Sequence, residues 1–288
     1  MTQEKSVYGI VGYPVEHSLS PLMHNTAFKA LGVNAVYQLF PLTEDELKPF
    51  FDDLREKGNS IFGLNITVPY KEKVMGYLDS LSPFAARIKA VNTVVISDER
   101  KLAGFNTDGP GFLAHLEELK FNIQNKRIAI LGAGGTTRAI LATLCLLSEQ
   151  PESIRIYNRT VAKVEELVSG LGQQMDIGKI RIVSRPDDLD LELADLLINT
   201  TSVGLKEEDP VIIDENLLHQ DMLVYDVIYN PQETKLLKAA KARGAQTANG
   251  LGMLFYQGVL AFQHWAGREI DETIKEKMRK SLELRKEL

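Results

Sequence analysis

Residues 127–138, with the sequence RIAILGAGGTTR, constrain the fold of this chain more than any other segment. An apolar run typical of a buried parallel strand leads directly into Gly132, Gly134 and Gly135, and a helical pattern follows. Such glycines let a pyrophosphate approach the helix N-terminus, where free N–H groups and the helix dipole favour an anion. Thr137 stands where GxGxxG has its third glycine, so the turn alone is a weak signal.

The next strand strengthens this interpretation and indicates which dinucleotide binds. The predicted strand at 153–157 is followed by Asn158-Arg159-Thr160, and Lys163 lies one turn into the next predicted helix. NAD enzymes place a carboxylate near this point to bind the ribose 2′-hydroxyl. A carboxylate repels a 2′-phosphate, whereas a guanidinium binds it with two hydrogen bonds. The sequence therefore predicts NADP rather than NAD; the alternative is an ordinary turn with a surface arginine.

Composition narrows the class of protein. The 288 residues are 44% hydrophobic and 25% charged, as in ordinary globular proteins, and the net charge of −6 gives no basic surface for nucleic acid. No apolar run is long enough to span a membrane or resemble a signal peptide. Cys145 is the only cysteine, and the five histidines lack metal-ligand spacing. We expect a cytoplasmic protein without metal, nucleic-acid or membrane partners.

Alternating strand and helix patterns predict an α/β protein of two domains with mostly parallel sheets. The expected arrangement is an α/β domain at 1–108, completed by C-terminal helices at 248–288, with a Rossmann domain inserted at 109–247. Local patterns predict a helix at 21–31 capped by Ser20, a loop at 170–179, and a final helix at 272–286.

Several polar residues in the first half lie where strands are predicted to end, the usual place for ligands in α/β sheets. Ser18 and Ser20 point the same way if their segment is extended, although Ser20 also suits a helix cap. Thr67 lies on the polar face of a predicted strand. Lys71 follows and suits an anionic substrate or proton transfer, unless it is merely a solvated surface lysine.

Further candidates lie later in the sequence. Asn92 begins a predicted strand, and Asp108 follows another, where it serves either as a helix cap or as a partner for Lys71. Tyr229 follows the last strand of the Rossmann pattern. Gln257 lies on a later predicted helix, where a surface position is the alternative.

Taken together, these segments resemble the shikimate dehydrogenase family, NADP-dependent enzymes of aromatic amino acid biosynthesis. The resemblance covers nearly the whole chain, and several matching segments lie outside the general nucleotide-binding pattern. The matching segments are EHSLSP (16–21), NITVPYK (65–71), AVNTV (90–94), NTDG (106–109), GAGGTTR (132–138), NRT (158–160), INTTSVG (198–204), YDVIY (225–229) and NGLGMLFYQG (249–258).

The resemblance implies a role for each candidate. Lys71 and Asp108 would form the catalytic pair, acting on 3-dehydroshikimate and shikimate. The residues implied to bind the substrate are Ser18, Ser20, Thr67, Lys71, Asn92, Asp108, Tyr229 and Gln257. The residues implied to bind NADP are Gly132, Ala133, Gly134, Gly135, Thr136, Asn158, Arg159, Thr160, Lys163, Val227 and Gly250.

Two alternatives remain at this level. One is a related oxidoreductase that acts on quinate or an amino analogue, or that uses NAD. The other is a sensor that binds NADP without catalysis, although such a protein has no need of the Lys71 and Asp108 pair. The sequence leaves the oligomeric state open, a homodimer included.

Overall fold

The computed structural model describes residues 5–284 and divides the chain into two compact units. The first unit comprises the described residues up to Gly111 together with those from Leu254 onward. The second unit comprises Phe112–Met253. The first division, after Gly111, falls inside the helix Asp108–Glu118, and the second, after Met253, falls inside the helix Leu251–Ala266.

Strands and helices alternate along most of the chain, which confirms the predicted α/β class. The elements up to residue 118 are β1 (Ser6–Gly12), α1 (Ser20–Leu31), β2 (Ala35–Pro41), α2 (Glu44–Asp53), β3 (Ile61–Ile66), β4 (Ser80–Leu81), α3 (Pro83–Ile88), β5 (Thr93–Ile96), β6 (Leu102–Phe105) and α4 (Asp108–Glu118). The elements that follow are β7 (Arg127–Leu131), α5 (Gly135–Leu146), β8 (Ser153–Tyr157), α6 (Val161–Gly172), β9 (Ile180–Val183), β10 (Leu196–Asn199), β11 (Leu223–Asp226), α7 (Lys235–Ala242), β12 (Gln246–Ala248), α8 (Leu251–Ala266) and α9 (Glu272–Glu283).

The sheet of the first unit has the strand order β2-β1-β3-β5-β6-β4. Strands β1, β2 and β3 are parallel, whereas β5 runs antiparallel to both β3 and β6. The carboxyl end of β3, the start of β5 and the end of β6 therefore lie at one edge of the sheet. Asn65 pairs with Thr93, and Thr93 pairs with Phe105, so three short polar segments converge there.

The sheet of the second unit is entirely parallel, with the order β12-β11-β10-β7-β8-β9. This is the doubly wound Rossmann arrangement, in which the strand order reverses beside the first strand. Its central strands β7, β10 and β11 are buried on both faces, as their apolar runs predict. Ile130, Leu197 and Val224 are fully buried, so the sheet gives a rigid base to the loops at its carboxyl edge.

The core of the first unit contains a histidine with an unpaired ring. His24, on α1, is fully buried, and neither ring nitrogen has a hydrogen-bond partner within residues 5–284. Its ring stacks on Tyr37 with a centroid distance of 4.5 Å and lies against Trp265 and Phe262. Burial lowers the pKa of His24 to about 3, so the imidazole is neutral in the folded protein.

The structure corrects three local predictions. Helix α1 begins at Ser20 itself, with Leu19 at the N-cap position, so Ser20 does not cap the helix through its side chain. Helix α6 continues to Gly172, which shortens the predicted loop, because Val168 and Leu171 extend its buried apolar face. Helix α9 is described as far as Glu283, and the predicted helical residues 285 and 286 lie outside the described residues.

No helix within residues 5–284 has the length and apolar character to cross a bilayer. In the same range, no three or more histidine, cysteine or acidic side chains group together in a way suited to a metal ion.

His24 should make the folded state sensitive to acid. The unfolded chain protonates this histidine below its ordinary pKa of 6.5, whereas the folded protein keeps it neutral down to about pH 3. Stability is therefore full above pH 6.5 and falls on acidification by about 1.4 kcal/mol per pH unit. Between pH 7.5 and pH 5.0, the free energy of unfolding should fall about 2 kcal/mol further in the wild type than in His24→Phe, as measured by urea denaturation.

The same substitution at the exposed His17 provides the control and should retain the wild-type pH dependence. Equal acid sensitivity of the wild type and His24→Phe would rule out this role for the buried imidazole.

Candidate active site and dinucleotide site

A buried ion pair lies at the polar edge of the first sheet. Lys71 Nζ lies 2.6 Å from Asp108 Oδ2, and the side chains are only 11% and 8% exposed. Lys71 follows the turn after β3, where Val91 N–H donates to its carbonyl oxygen, and Asp108 is the first residue of α4. Two opposite charges buried this far from water need close partners, and each supplies one to the other. The predicted partnership of these two residues is thus present in the geometry.

Asn92 holds Asp108 in place. Its amide nitrogen donates to Asp108 Oδ1 at 2.8 Å and to Thr107 Oγ1 at 2.9 Å, and its oxygen accepts from the Thr107 N–H at 2.8 Å. Asp108 thus accepts a hydrogen bond from Asn92 on one oxygen and from Lys71 on the other. The carboxylate is fixed from both sides, which orients the ammonium group.

A second layer of polar side chains lies behind Asn92, and the site predicted from the sequence omitted it. The Tyr37 hydroxyl donates to Asn65 Oδ1 at 2.7 Å, and the Asn65 amide donates to the Asn92 carbonyl oxygen and to Thr93 Oγ1. Thr93 Oγ1 in turn donates to Asn92 Oδ1 at 3.0 Å. The alternation of Asn65 with apolar residues was the available signal, because it placed this amide with Thr67 on the polar face of the predicted strand.

Gln257 and Thr67 also lie at this edge of the first unit. Gln257, on α8, places Oε1 3.4 Å from Asn92 Nδ2, so a residue far along the chain joins the cluster. Gly111 lies against the Gln257 backbone, where a Cβ atom would come within 2.7 Å of its nitrogen. Thr67 directly follows β3, and its N–H donates to the carbonyl oxygen of Val11 on the neighbouring strand.

Ser18 and Ser20 follow β1, whose carboxyl end lies beside that of β3. Leu19 has helical backbone angles, so the segment is not extended, and the predicted reason for the two side chains to point the same way is wrong. They are nevertheless linked, because the Ser20 N–H donates to Ser18 Oγ at 3.3 Å. Ser20 is 2% exposed, whereas Ser18 is half-buried. Within the described residues, no hydrogen bond joins either serine to Lys71 or Asp108.

In the second unit, the glycine turn connects β7 to α5. Gly132 has a φ of +116°, a conformation that favours glycine, and a Cβ atom there would lie 2.4 Å from Thr200 Oγ1. Gly134 is the N-cap of α5, and among the described residues no atom lies within 4 Å of a Cβ atom built on it. The turn therefore leaves open space beside Gly134 at the N-terminus of α5, an arrangement suited to an anion.

Two cations lie beyond the neighbouring strand β8. Arg159 and Lys163 are exposed, and neither has a hydrogen-bond or ion-pair partner through its side chain among the described residues. Between them, Thr160 is the N-cap of α6, and its carbonyl oxygen accepts from the Asn158 side chain at 2.9 Å. Two free positive charges at the carboxyl edge of the sheet provide the chemistry for a phosphate group.

The last strands of this sheet bring together the residues predicted to border the nicotinamide. The Gly250 N–H donates to the carbonyl oxygen of Ile228 at 3.1 Å, and a Cβ atom on Gly250 would lie 1.9 Å from the Val227 carbonyl oxygen. Any side chain at position 250 would therefore displace the backbone at 227. Tyr229, predicted to bind substrate, also belongs to this unit and is half-buried.

A buried carboxylate stabilises the turn after β11. Asp226 is fully buried and accepts hydrogen bonds from the Thr234 hydroxyl, the Asn199 amide and the Ile228 N–H. Burial raises the pKa of Asp226, and the three hydrogen bonds oppose that rise. The group is fully engaged in shaping the backbone that carries Val227.

Comparison with protein families matches both units. Residues 10–94 match the shikimate dehydrogenase substrate binding domain, and residues 115–218 match shikimate / quinate 5-dehydrogenase. Residues 250–283 match the shikimate 5′-dehydrogenase C-terminal domain. A relative from Methanopyrus kandleri named shikimate dehydrogenase (NADP(+)) is 44% identical over 271 residues, which is 92% of each chain. The chain belongs to the shikimate dehydrogenase family.

Other members of the shikimate dehydrogenase family are comparably similar. A shikimate dehydrogenase (NADP(+)) from Geobacillus kaustophilus is 45% identical over 92% of this chain and 94% of its own. A crystal structure of a shikimate dehydrogenase in complex with NADP+ superimposes with a TM-score of 0.88 at 41% identity, covering 98% of this chain and 96% of that one. The resemblance inferred from the sequence motifs is thus confirmed.

Structural neighbours also indicate the range of ligands among relatives. The Thermus thermophilus enzyme in complex with NADP(H) and shikimate has a TM-score of 0.83 at 33% identity, covering 97% of this chain and 99% of that chain. A quinate dehydrogenase from Corynebacterium glutamicum in complex with NAD has a TM-score of 0.85 at 30% identity, covering 97% and 99% of the two chains.

The second polar layer should contribute to stability. Replacing Tyr37 with Phe leaves Asn65 Oδ1 buried without the donor that lies 2.7 Å away. We expect the free energy of unfolding to fall by about 1–3 kcal/mol, measured by denaturant titration.

Tyr8→Phe is the matched control, because the Tyr8 hydroxyl makes no hydrogen bond within residues 5–284 while its ring packs on Phe28 and Trp265. A Tyr37→Phe protein as stable as Tyr8→Phe would show that the layer adds nothing to stability.

Proposed function

We propose that this protein catalyses the reversible reduction of 3-dehydroshikimate to shikimate with NADPH, as its family membership implies. The observation that carries the proposal is the buried ion pair in which Lys71 Nζ lies 2.6 Å from Asp108 Oδ2. Amide and hydroxyl groups surround this pair. Such a pair is costly to bury and adds little to stability, whereas it suits proton transfer to a polyhydroxylated substrate.

Lys71 is the proposed proton donor and Asp108 its positioning partner. An ammonium group has three N–H donors, and Asp108 engages one of them, which leaves the others for a substrate oxygen. NADPH, when bound, supplies the hydride that reduces the carbonyl carbon. Negative charge then grows on the carbonyl oxygen, and Lys71 stabilises this charge and transfers a proton to it. In the oxidative direction Lys71 accepts that proton back.

The other polar residues of the first unit are proposed to bind the substrate. Ser18 and Ser20 would supply hydroxyl groups for its carboxylate. Tyr229, a residue of the second unit, is a further proposed substrate ligand. Thr67, Asn92 and Gln257 would contact the ring hydroxyls. Asn92 already uses its amide to hold Asp108, so we assign it a positioning role as well as a binding one.

The second unit is proposed to bind NADP. The open glycine turn and the first-turn amides of α5, from Gly132 to Thr136, fit a pyrophosphate. Arg159 and Lys163 fit the 2′-phosphate, with Asn158 and Thr160 beside the adenosine. Val227 and Gly250 would border the nicotinamide, where the close backbone approach leaves no room for a side chain.

We propose that residues 1–108 with 248–288 form mainly the catalytic, substrate-binding part and residues 109–247 mainly the NADP-binding part. Two assigned residues are exceptions, because Tyr229 lies in the NADP-binding range and Gly250 in the substrate-binding range. The proposal holds for a monomer and a homodimer alike, since every residue named comes from one chain. We also propose a cytoplasmic location, which cell fractionation tests.

Activity assays that combine each of two substrates with each of two cofactors test the proposed activity. Absorbance at the nicotinamide band is followed with shikimate or quinate and with NADP⁺ or NAD⁺. We expect shikimate with NADP⁺ to give the highest kcat/KM. Preference for quinate or NAD⁺ would instead support the function named for the Corynebacterium glutamicum neighbour. Tight NADP⁺ binding with no turnover of either substrate would support a non-catalytic sensor.

Removal of the proposed proton donor should abolish most of the activity. Lys71→Ala should lower kcat by at least about 10²-fold, because general acid–base catalysis contributes 10²–10⁴-fold. NADP⁺ affinity should stay within about two-fold of wild type. Lys73→Ala is the control, since Lys73 lies two residues away, is exposed and pairs with Glu44. Near-normal turnover by Lys71→Ala would exclude Lys71 as the proton donor.

Removal of the proposed 2′-phosphate ligand should change cofactor preference. Arg159→Ala should lower kcat/KM for NADP⁺ by about ten-fold or more while leaving kcat/KM for NAD⁺ nearly unchanged, since only NADP⁺ carries the phosphate. Arg181→Ala, an exposed arginine on β9 of the same sheet, is the control. An equal loss with both cofactors would contradict the assignment.

A further inference from the structure

We propose that Thr137 is a positioning residue that fixes the glycine turn in the shape that receives the dinucleotide pyrophosphate. The inference rests on the proposed NADP-binding function. It concerns the residue that departs from the GxGxxG pattern, at the position where a third glycine or alanine normally allows close packing of helix on strand.

Thr137 takes part in a chain of three hydrogen bonds across the turn. The Gly134 N–H donates to Thr137 Oγ1 at 3.0 Å, Thr137 Oγ1 lies 2.7 Å from Thr200 Oγ1, and Thr200 Oγ1 donates to the Leu131 carbonyl oxygen at 2.7 Å. A hydroxyl group has a single proton to donate. Because Thr200 gives its proton to Leu131, Thr137 must donate to Thr200.

The chain therefore has one direction, from Gly134 through Thr137 and Thr200 to Leu131. We call it the hydroxyl relay. Leu131 ends β7 and Gly134 is the N-cap of α5, so the relay joins both ends of the turn and brackets Gly132 and Ala133. No step in it depends on a bound ligand.

Thr137 acts through the backbone rather than by touching a ligand. Its side chain is fully buried, and both hydrogen-bonding roles of its hydroxyl are filled by Gly134 and Thr200. The Gly134 N–H is likewise committed to the relay. The amides left to face an anion are those of the first turn of α5, and the relay fixes how that turn begins.

A turn that is already ordered binds its ligand without an ordering cost. Loss of the relay should therefore weaken binding of the pyrophosphate, which NADP⁺ and NAD⁺ share. The two dissociation constants should rise by the same factor. This response distinguishes Thr137 from Arg159, whose loss should affect NADP⁺ alone.

The test uses two substitutions that separate hydrogen bonding from shape. Thr137→Val keeps the branched side chain and removes the hydroxyl, whereas Thr137→Ser keeps the hydroxyl and removes a methyl group. Thr143→Val is the matched control, because Thr143 is also buried on α5 and its hydroxyl donates to the Ala139 carbonyl oxygen, away from the turn. Dissociation constants for NADP⁺ and NAD⁺ are measured by calorimetry on the full chain, with kcat and KM from the shikimate assay.

We expect Thr137→Val to raise both dissociation constants about ten-fold, which corresponds to about 1.4 kcal/mol, or one to two hydrogen bonds. Thr137→Ser and Thr143→Val should bind as the wild type does. The KM for NADP⁺ should rise with little change in kcat, and the KM for shikimate should not change.

Wild-type affinity of Thr137→Val for both cofactors would overturn the inference and leave the proposed function intact. A wild-type protein that binds neither cofactor would overturn the proposed function itself. If Thr137→Val does not fold, Thr200→Val interrupts the relay from its other side. An equal rise of both dissociation constants in Thr200→Val would support the inference, and wild-type affinity for both cofactors would overturn it.

Discussion

The buried ion pair between Lys71 and Asp108 is the interaction around which the polar side chains of the first unit are arranged. Two charges in a buried environment are stable only if each is closely matched, so neither side chain can be lost without leaving the other unpaired. Asn92 holds the second oxygen of Asp108 and is itself held by Thr107 and Thr93. A carboxylate fixed on both oxygens holds the ammonium group in place, which suits the proton transfer proposed for Lys71.

In the second unit, the backbone amides at the start of α5 are arranged in a way that suits binding of an anion. The parallel sheet supplies the rigid base, and the glycine turn supplies the open approach. In place of a third glycine, this chain uses a buried threonine whose hydroxyl links the helix start to Thr200 and through it to β7. Thr137 has a larger side chain than glycine, and its hydroxyl forms hydrogen bonds that a glycine could not form. The exposed positive charges of Arg159 and Lys163 are the proposed basis for preferring NADP over NAD.

Strand direction explains why the polar residues of the first unit converge. In a purely parallel sheet, Asn92 at the start of β5 would lie at the opposite edge from Thr67 after β3. Because β5 runs antiparallel to β3 and to β6, the start of one strand and the ends of its two neighbours meet. The polar layer of Tyr37, Asn65 and Thr93 follows from the same register and supports the pair from behind.

The sequence by itself determined the α/β class, the glycine turn, the basic residues after β8 and the family, because each depends on local pattern or contiguous motif. It also supplied Lys71 and Asp108 as candidates. Only the tertiary structure decided that the two form a pair. They lie 37 residues apart, and the number of residues between them does not determine which strands become neighbours in the sheet. The supporting roles of Tyr37 and of the relay through Thr137 and Thr200 likewise needed coordinates, since a hydrogen bond between distant residues depends on the packing that joins them.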